Sequence, residues 1–214
     1  MTDTPVPKVP PPLSFTMEEV MRFRLVYGGR KPYLDRMSTL IWVDMFALEA
    51  TYGINPFEIL QSIDELEGLA PDTNIKPATQ FKFAPLKGLW HKHFFAARFI
   101  ARNISLGLGK NGLEKIVREV MDPSRSPVIT EEMVAELAHR VTNETLERRA
   151  ADGKLTGEWI IYAEHMGLNY YLTCKPHSMG DQAIFDEIAR HCVSDFPEIL
   201  KWIEEAASQT PPMG

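Results

Sequence analysis

The chain has 214 residues, of which 44% are hydrophobic and 24% are charged, and its formal net charge is −6 at pH 7. This composition is typical of one globular domain, and the negative charge argues against a protein that coats nucleic acid with its whole surface. Cys174 and Cys192 have no metal-type spacing, no secretory signal is visible and no apolar run approaches about 20 residues. We therefore expect reduced thiols, a cytoplasmic location and no membrane span.

The N-terminal part of the sequence predicts a proline-rich arm followed by helices. Residues 1–13 contain five prolines and little that could pack, so we expect a disordered, polyproline-like arm. Three predicted helices follow, and the second, from Asp35 to Tyr52, is apolar on nearly every side and belongs in the core. The carboxylate of Asp44 must there find a polar partner or shift its pKa. We favour a structural role for Asp44 over that of an activated acid.

The segment Pro85–Ile104 predicts one long helix, because a proline suits a first helical turn and the apolar residues recur at three- and four-residue steps. His93 would lie on the apolar face of this helix. The opposite face would carry His91, Arg98 and Arg102. Residues two positions apart point in different directions on a helix, so the two histidines would share a metal ion only if the segment were extended.

Glycines 107, 109 and 112 match the GxGxxG pattern letter for letter. The dinucleotide fingerprint requires a strand before this loop, whereas a helix is predicted here, so we reject that interpretation. We expect one helix to end at these glycines and the next helix to begin after them. A weaker hypothesis is that free amides at the start of the second helix, with Lys110 beside them, bind an anion.

The sequence pattern changes from helical to strand-like after a charged helix predicted over residues 131–150. Glu158–His165 and Tyr170–Pro176 are rich in β-branched and aromatic residues and are separated by a glycine-containing turn, which predicts a β-hairpin. One helix follows from the Ser178–Asp181 capping box, and a last one ends near residue 207. We therefore predict a mainly α-helical α+β protein with about seven helices and a C-terminal β-hairpin followed by two helices.

The predicted organisation is a single globular domain over residues 14–207. It consists of a helical body over residues 14–152 and a hairpin–helix unit over residues 157–207, with a short tail over residues 208–214. A two-stranded hairpin is marginally stable alone, so we expect it to pack against the helices.

The loop after the second hairpin strand is the strongest candidate for a site, because it runs into a helix start that offers free amides. A basic helix face opposite this loop would suit phosphate esters, with one histidine as general base, another as general acid, and cations stabilising the transition state. The predicted catalytic residues are His91, Arg98, Lys175 and His177. The predicted ligand-binding residues are Arg102, Lys110, Tyr170 (or its neighbour Tyr171) and Asp181.

Two functional hypotheses follow. The first is a small intracellular protein with a His/Arg/Lys cleft for a phosphate-bearing ligand or RNA, with metal-independent phosphodiester hydrolysis of the ribonuclease or toxin type. The second is a non-catalytic helical interaction module whose proline arm or hairpin edge binds a protein partner. We predict no cofactor and no metal, because the cysteines and nearby histidines match no zinc pattern and no serine-nucleophile or ATP-hydrolysis motif is present.

Overall fold

The computed structural model describes residues 14–71, 75–152, 154, 158–175 and 179–208. The predicted proline arm and the tail from residue 209 onward lie outside these ranges. The helices in the described part are α1 (Met17–Gly28), α2 (Thr39–Tyr52), α3 (Pro56–Leu66), α4 (Ile100–Leu108), α5 (Gly112–Val120), α6 (Glu131–His139), α7 (Thr145–Ala151), α8 (Asp181–His191) and α9 (Ile199–Ser208). The strands are β1 (Thr79–Gln80), β2 (Trp90–Phe94), β3 (Glu158–His165) and β4 (Leu168–Lys175).

The strands form one antiparallel sheet in the order β1-β2-β3-β4. The predicted fold class is confirmed: the protein is a mainly helical α+β structure, and the predicted hairpin is β3–β4, which helices follow. The hairpin belongs to a larger sheet than predicted, since β3 also pairs with β2 along Trp90–Phe94.

Strand β2 corrects the prediction of a single helix over Pro85–Ile104. That segment instead contains a turn, β2, a short 3₁₀ turn at Ala97–Phe99 and then α4. The sequence of β2 is WHKHF, and successive side chains of a strand point to opposite faces of the sheet. The leucines that mimicked a helical stripe belong to the turn before β2, where they pack against α9.

The two faces of the sheet each have a hydrophobic core. One face packs against α1, α2 and α3, and its fully buried side chains include Trp42, Ile59 and Phe94. The other face packs against α8 and α9, through residues such as Ile161 and Ile188. Covering both faces with helices removes the apolar surface of the sheet from water, which is the main stabilising term of such layered folds. Within the described ranges, no helix combines the length and the apolar character required to cross a membrane.

Helix α2 and the residue before it cover the outer edge of β4. The amide of Ser38 donates to the carbonyl of Tyr171 (2.9 Å), and the Ser38 hydroxyl donates to the carbonyl of Leu172 (2.6 Å). Further along the strand, the amide of Cys174 donates to Asp44 Oδ2 (3.2 Å). These bonds occupy backbone groups that an added strand would need. The hairpin edge that the second hypothesis offered to a partner is therefore occupied by the protein itself along this stretch.

A helical unit, α4 to α7, lies between β2 and β3 in the chain. Its last two helices are continuous through a π turn at Arg140–Glu144, where the Thr145 hydroxyl donates to the carbonyl of Arg140 (2.9 Å). Thr145 packs so closely against Gly107 of α4 that a Cβ at Gly107 would overlap its methyl group. The first of the three motif glycines thus permits close helix packing.

Candidate functional site

Four side chains form a continuous cluster of ring contacts on the α8/α9 side of the sheet: Phe81, His91, His93 and Trp159. We call these residues the histidine strip. The ring centroid of His91 lies 4.5 Å from that of Phe81 and 5.0 Å from that of Trp159. His91 Nε2 is also within hydrogen-bond distance (3.1 Å) of the hydroxyl of Thr79, its cross-strand partner on β1. Aromatic packing and this contact fix the orientation of the His91 imidazole.

The two histidines of β2 share one face because they are two positions apart on a strand. Their ring centroids are 5.8 Å apart, His93 is only 5% exposed, and His91 is half-buried. The segment is therefore extended, which is the condition that the sequence analysis set for a shared metal. Among the described residues, however, no group of three or more His, Cys, Asp or Glu side chains is arranged to hold a metal ion. We assign no metal to the pair.

The sheet also brings Lys175 to the same face as the histidines. His93 pairs with Trp159 across β2 and β3, and Trp159 pairs with Lys175 across β3 and β4. Adjacent strands are about 4.8 Å apart, so the backbones of His93 and Lys175 are roughly 10 Å apart. Strand pairing, and not a helix face, relates these two residues.

The charge of Lys175 is neutralised by two carboxylates. Its Nζ lies 2.5 Å from Asp44 Oδ1 and 2.5 Å from Glu187 Oε2, and the hydroxyl of Thr173 donates to the other oxygen of Asp44. Lys175 and Asp44 are both buried. These contacts agree with the preferred interpretation of Asp44 as a structural carboxylate, and they make Lys175 an anchor for the end of β4.

The pKa values of Asp44 and Lys175 reflect burial and the contacts that oppose it. Burial raises the pKa of Asp44 to about 6, although Lys175, Thr173 and the Cys174 amide act in the opposite direction. The physical reason is that burial in a low-dielectric interior disfavours the charged carboxylate, and the three partners offset this cost only in part. Burial opposes the charged form of Lys175, but its pairing with Asp44 and Glu187 outweighs this effect and raises the pKa of Lys175.

The predicted ligand-binding residues are dispersed. Arg102 on α4, Lys110 in the turn after it and Asp181 at the start of α8 are exposed. Tyr170 packs against Trp202, with ring centroids 4.8 Å apart, and lies five residues before the end of β4. Five residues of strand span about 17 Å, so Tyr170 is at the far end of β4 from Lys175. The structure does not bring these four side chains together.

Two of the predicted catalytic residues lie in part or wholly outside the described residues. The backbone of Arg98 belongs to the 3₁₀ turn that follows β2, and its side chain is not described. His177, two residues after Lys175 in the sequence, falls in the undescribed range 176–178. Their roles stay predictions.

The anion site beside Lys110 stays a prediction. As expected, a helix precedes the glycines, and α5 begins at Gly112. A surface cavity of about 240 Å³ lies near this turn, but its lining includes Glu119 and Glu144 as well as Arg140 and Arg148. Arg140 forms an ion pair with Glu119. The cavity is therefore mixed in charge.

One sequence signal that the first analysis missed is a long stretch without acidic residues. Between residues 73 and 113 the chain has seven lysines and arginines and no aspartate or glutamate, although the whole chain has a net charge of −6. Such asymmetry indicates a local site for anions. Lys92 is not part of it, because its side chain is buried beside Glu65 (3.4 Å). Lys82 and Lys87 are exposed.

The sequence analysis also missed His93, Phe81 and Trp159 as members of a site. The two-residue spacing of the histidines was the available signal, since residues two apart share a face if the segment is a strand. The contacts of Phe81 and Trp159 with His91 join a loop and two strands and could not be inferred locally. A comparison of the chain with models of protein families, with curated proteins and with solved structures finds no match, so the geometry of the histidine strip is the basis for the proposals below.

Proposed function

We propose that the histidine strip is the active site of a metal-independent phosphodiesterase that acts on a phosphate-bearing ligand, with RNA as the preferred substrate. The observation that carries this proposal is the pair His91 and His93, held 5.8 Å apart on one face of β2 and framed by aromatic rings. Imidazole is the side chain best suited to accept and donate protons near neutral pH.

In the proposed reaction, one histidine accepts the proton of the attacking ribose 2′-hydroxyl, and the new P–O bond forms at the adjacent phosphate. The other histidine donates a proton to the departing 5′-oxygen as its bond to phosphorus breaks. The products are a 2′,3′-cyclic phosphate and a free 5′-hydroxyl, and no oxidant or further reactant is required. His177 remains an alternative partner for His91, as the sequence analysis predicts.

The role of cations in this proposal differs from the initial prediction. Lys175 is paired with Asp44 and Glu187, so its charge is not directed at a substrate. Arg98 follows β2 in the chain and is the predicted residue for stabilising the charged transition state, because a guanidinium binds phosphate oxygens through two parallel hydrogen bonds.

The test is an RNA-cleavage assay in EDTA with the wild type, His91→Ala, His93→Ala and His177→Ala. Loss of a general acid or base lowers the rate by about 10²–10⁴-fold. His139→Ala, on the exposed end of α6, is the matched control and should retain the wild-type rate. Circular dichroism establishes that each variant is folded. Equal rates for all variants, or no cleavage by the wild type, would refute the proposal.

A companion measurement in cells uses the same variants. Expression of the wild type should degrade cellular RNA and slow growth, while His91→Ala and His93→Ala should do neither. Identical growth and identical RNA integrity in all strains would contradict RNA as the substrate.

The alternative function, a non-catalytic interaction module, has one specific observation in its favour. Met17, Met21 and Leu25 recur every four residues on α1 and are exposed, with Leu25 at 81%. Exposed methionines and leucines in a row are typical of adaptable protein-binding surfaces. If Leu25→Glu removes co-purifying partners or self-association while the histidine variants change nothing, this alternative is preferred.

A further inference from the structure

We propose that the loop between β1 and β2, residues 81–89, binds bases and phosphates of a single-stranded nucleic acid beside the histidine strip. We call it the β1–β2 loop. This inference rests on the proposed function for the position of the cleaved phosphate, and it adds a substrate class: unpaired RNA. It is carried by an exposed aromatic ring, two exposed lysines and a rigid attachment.

The aromatic element is Phe83, whose side chain is 79% exposed. A phenyl ring in water is an unfavourable arrangement, and here it lies two residues from Phe81, whose ring packs on His91 and Trp159. The loop therefore carries an exposed aromatic ring two residues along the chain from the histidine strip. Aromatic rings of this kind stack on unpaired bases, and the interaction tolerates any base because each has a π face.

The charged element is the pair Lys82 and Lys87, both exposed on the same loop. Within the described residues, neither forms an ion pair with a carboxylate. They belong to the stretch between residues 73 and 113 that contains no acidic residue. Lysines flanking an exposed ring match the alternation of phosphates and bases along a single strand.

The loop is attached firmly to the body of the protein. Leu86 and Leu89 are fully buried in the core formed with α9. Gly88 has φ +96°, and a Cβ there would lie 2.7 Å from the carbonyl oxygen of Ile203. The side chain of Gln80 donates to the carbonyl of Gly88 (3.2 Å). Phe83 is therefore presented by a fixed support, which lowers the ordering cost of binding.

Unpaired nucleic acid fits this loop better than the two main competitors. A duplex keeps its bases stacked on one another, so it would use the lysines and leave the ring of Phe83 in water. An acidic peptide would likewise be attracted by charge alone. Only a strand with free bases uses the ring and both lysines.

The binding test uses a fluorescein-labelled, 2′-O-methylated RNA 12-mer of mixed sequence, which lacks the attacking hydroxyl and cannot be cleaved. Anisotropy titrations compare the wild type, Phe83→Ala and the matched control Phe57→Ala, an aromatic residue on α3 that is 55% exposed. We expect Phe83→Ala to weaken binding by about five- to a hundredfold, as for other stacking residues. Phe57→Ala should bind like the wild type.

The charge test compares Lys82→Glu and Lys87→Glu with Lys115→Glu, an exposed lysine of α5. Each loop variant should bind the 12-mer more weakly. In a plot of the logarithm of the binding constant against the logarithm of salt concentration, the magnitude of the slope should decrease by about one. The Lys115→Glu variant should alter neither quantity by a comparable amount. An RNA duplex of the same sequence should bind more weakly and should not respond to Phe83→Ala.

The two proposals fail in different ways. The protein could bind the 12-mer through Phe83 and yet fail to cleave natural RNA. That result would support RNA binding by the β1–β2 loop and refute the proposed phosphodiesterase activity. Cleavage by the wild type with an unchanged KM in Phe83→Ala would refute the loop alone. Equal affinity of wild type and Phe83→Ala for the 12-mer, or stronger competition by poly-glutamate than by unlabelled single strand, would also overturn the inference.

Discussion

Asp44 on α2 and Lys175 at the end of β4 form a buried ion pair, with 2.5 Å between Oδ1 and Nζ. Glu187 from α8 binds the same ammonium group at 2.5 Å. Three separate elements are thus joined at one end of the sheet, opposite His93 in the strand register. The cluster fixes the end of β4 and, through it, the face on which the histidine strip lies.

Removing the ammonium group should destabilise the fold strongly. Lys175→Met leaves the buried carboxylate of Asp44 without its ammonium partner, and breaking a buried pair in this way costs about 3–5 kcal/mol. Urea denaturation measures the free energy of unfolding. The double variant Asp44→Asn/Lys175→Met, which removes the stranded charge of Asp44, should recover part of the loss. A single Lys175→Met variant as stable as the wild type would contradict the role of this cluster.

The stability of the protein should also depend on pH through Asp44. Its pKa is raised to about 6 in the folded state from an ordinary 3.8, so between these values the folded state binds more protons than the unfolded state. The contribution of Asp44 to the free energy of unfolding therefore increases as pH falls below about 6. This contribution is lost as pH rises through 6. One pKa unit corresponds to 1.36 kcal/mol, which limits the effect to about 3 kcal/mol.

The measurement is the difference in unfolding free energy between the wild type and Asp44→Asn at several values of pH. This difference isolates Asp44, because carboxylates such as Glu67, whose pKa is lowered, contribute equally to both proteins. The free energy of unfolding of the wild type should increase relative to that of Asp44→Asn as pH is lowered from 7.5 to 4.5. A constant difference across this range would show that Asp44 does not titrate there.

The two cysteines should be unreactive in the folded protein. Cys174 and Cys192 are free thiols that are almost completely buried. Burial raises the pKa of both, that of Cys192 to about 12, and the thiolate is the reactive form. Titration with an aromatic disulfide reagent should detect almost no thiol in the native state and both thiols in denaturant. Rapid reaction of the native protein would contradict the packing of α8 against β4.

Gly88 should be far less tolerant of substitution than a glycine in open space. Gly88→Ala places a Cβ against the backbone of α9 in a positive-φ conformation, and we expect a loss of about 3 kcal/mol or more. Gly68→Ala is the matched control, because its φ is +69° but nothing lies within 4 Å of the added Cβ. Its cost should be about 1–2 kcal/mol. Equal thermal stability of the two variants would argue against the rigid attachment of the β1–β2 loop.

The sequence predicted those elements whose signals are local. The β3–β4 hairpin follows from alternating β-branched and aromatic residues, and α2 follows from its continuous apolar character. Strand β2 was mistaken for part of a helix because WHKHF does not alternate between apolar and polar residues. The leucines before β2 happened to have helical spacing, although they pack from a turn.

The site could be predicted only in part, because its geometry depends on strand pairing. His91 was identified from its residue type, whereas His93 was assigned to a core, since a helix would have directed the two apart. The neutralisation of Lys175 depends on Asp44 and Glu187, which lie more than a hundred residues apart in the sequence. No local pattern carries such information. The acid-free stretch around β2 is visible in the sequence and marks this segment as locally basic.

The central claim is that the two imidazoles of β2 perform acid–base chemistry on RNA. The most direct measurement is the rate of cleavage of a single-stranded RNA in EDTA as a function of pH from 5 to 9, for the wild type, His91→Ala and His93→Ala. We predict a bell-shaped profile for the wild type, since one histidine must be neutral and the other protonated, and a loss of about 10²-fold or more in each variant. A flat profile, or variants that cleave as fast as the wild type, would contradict the account.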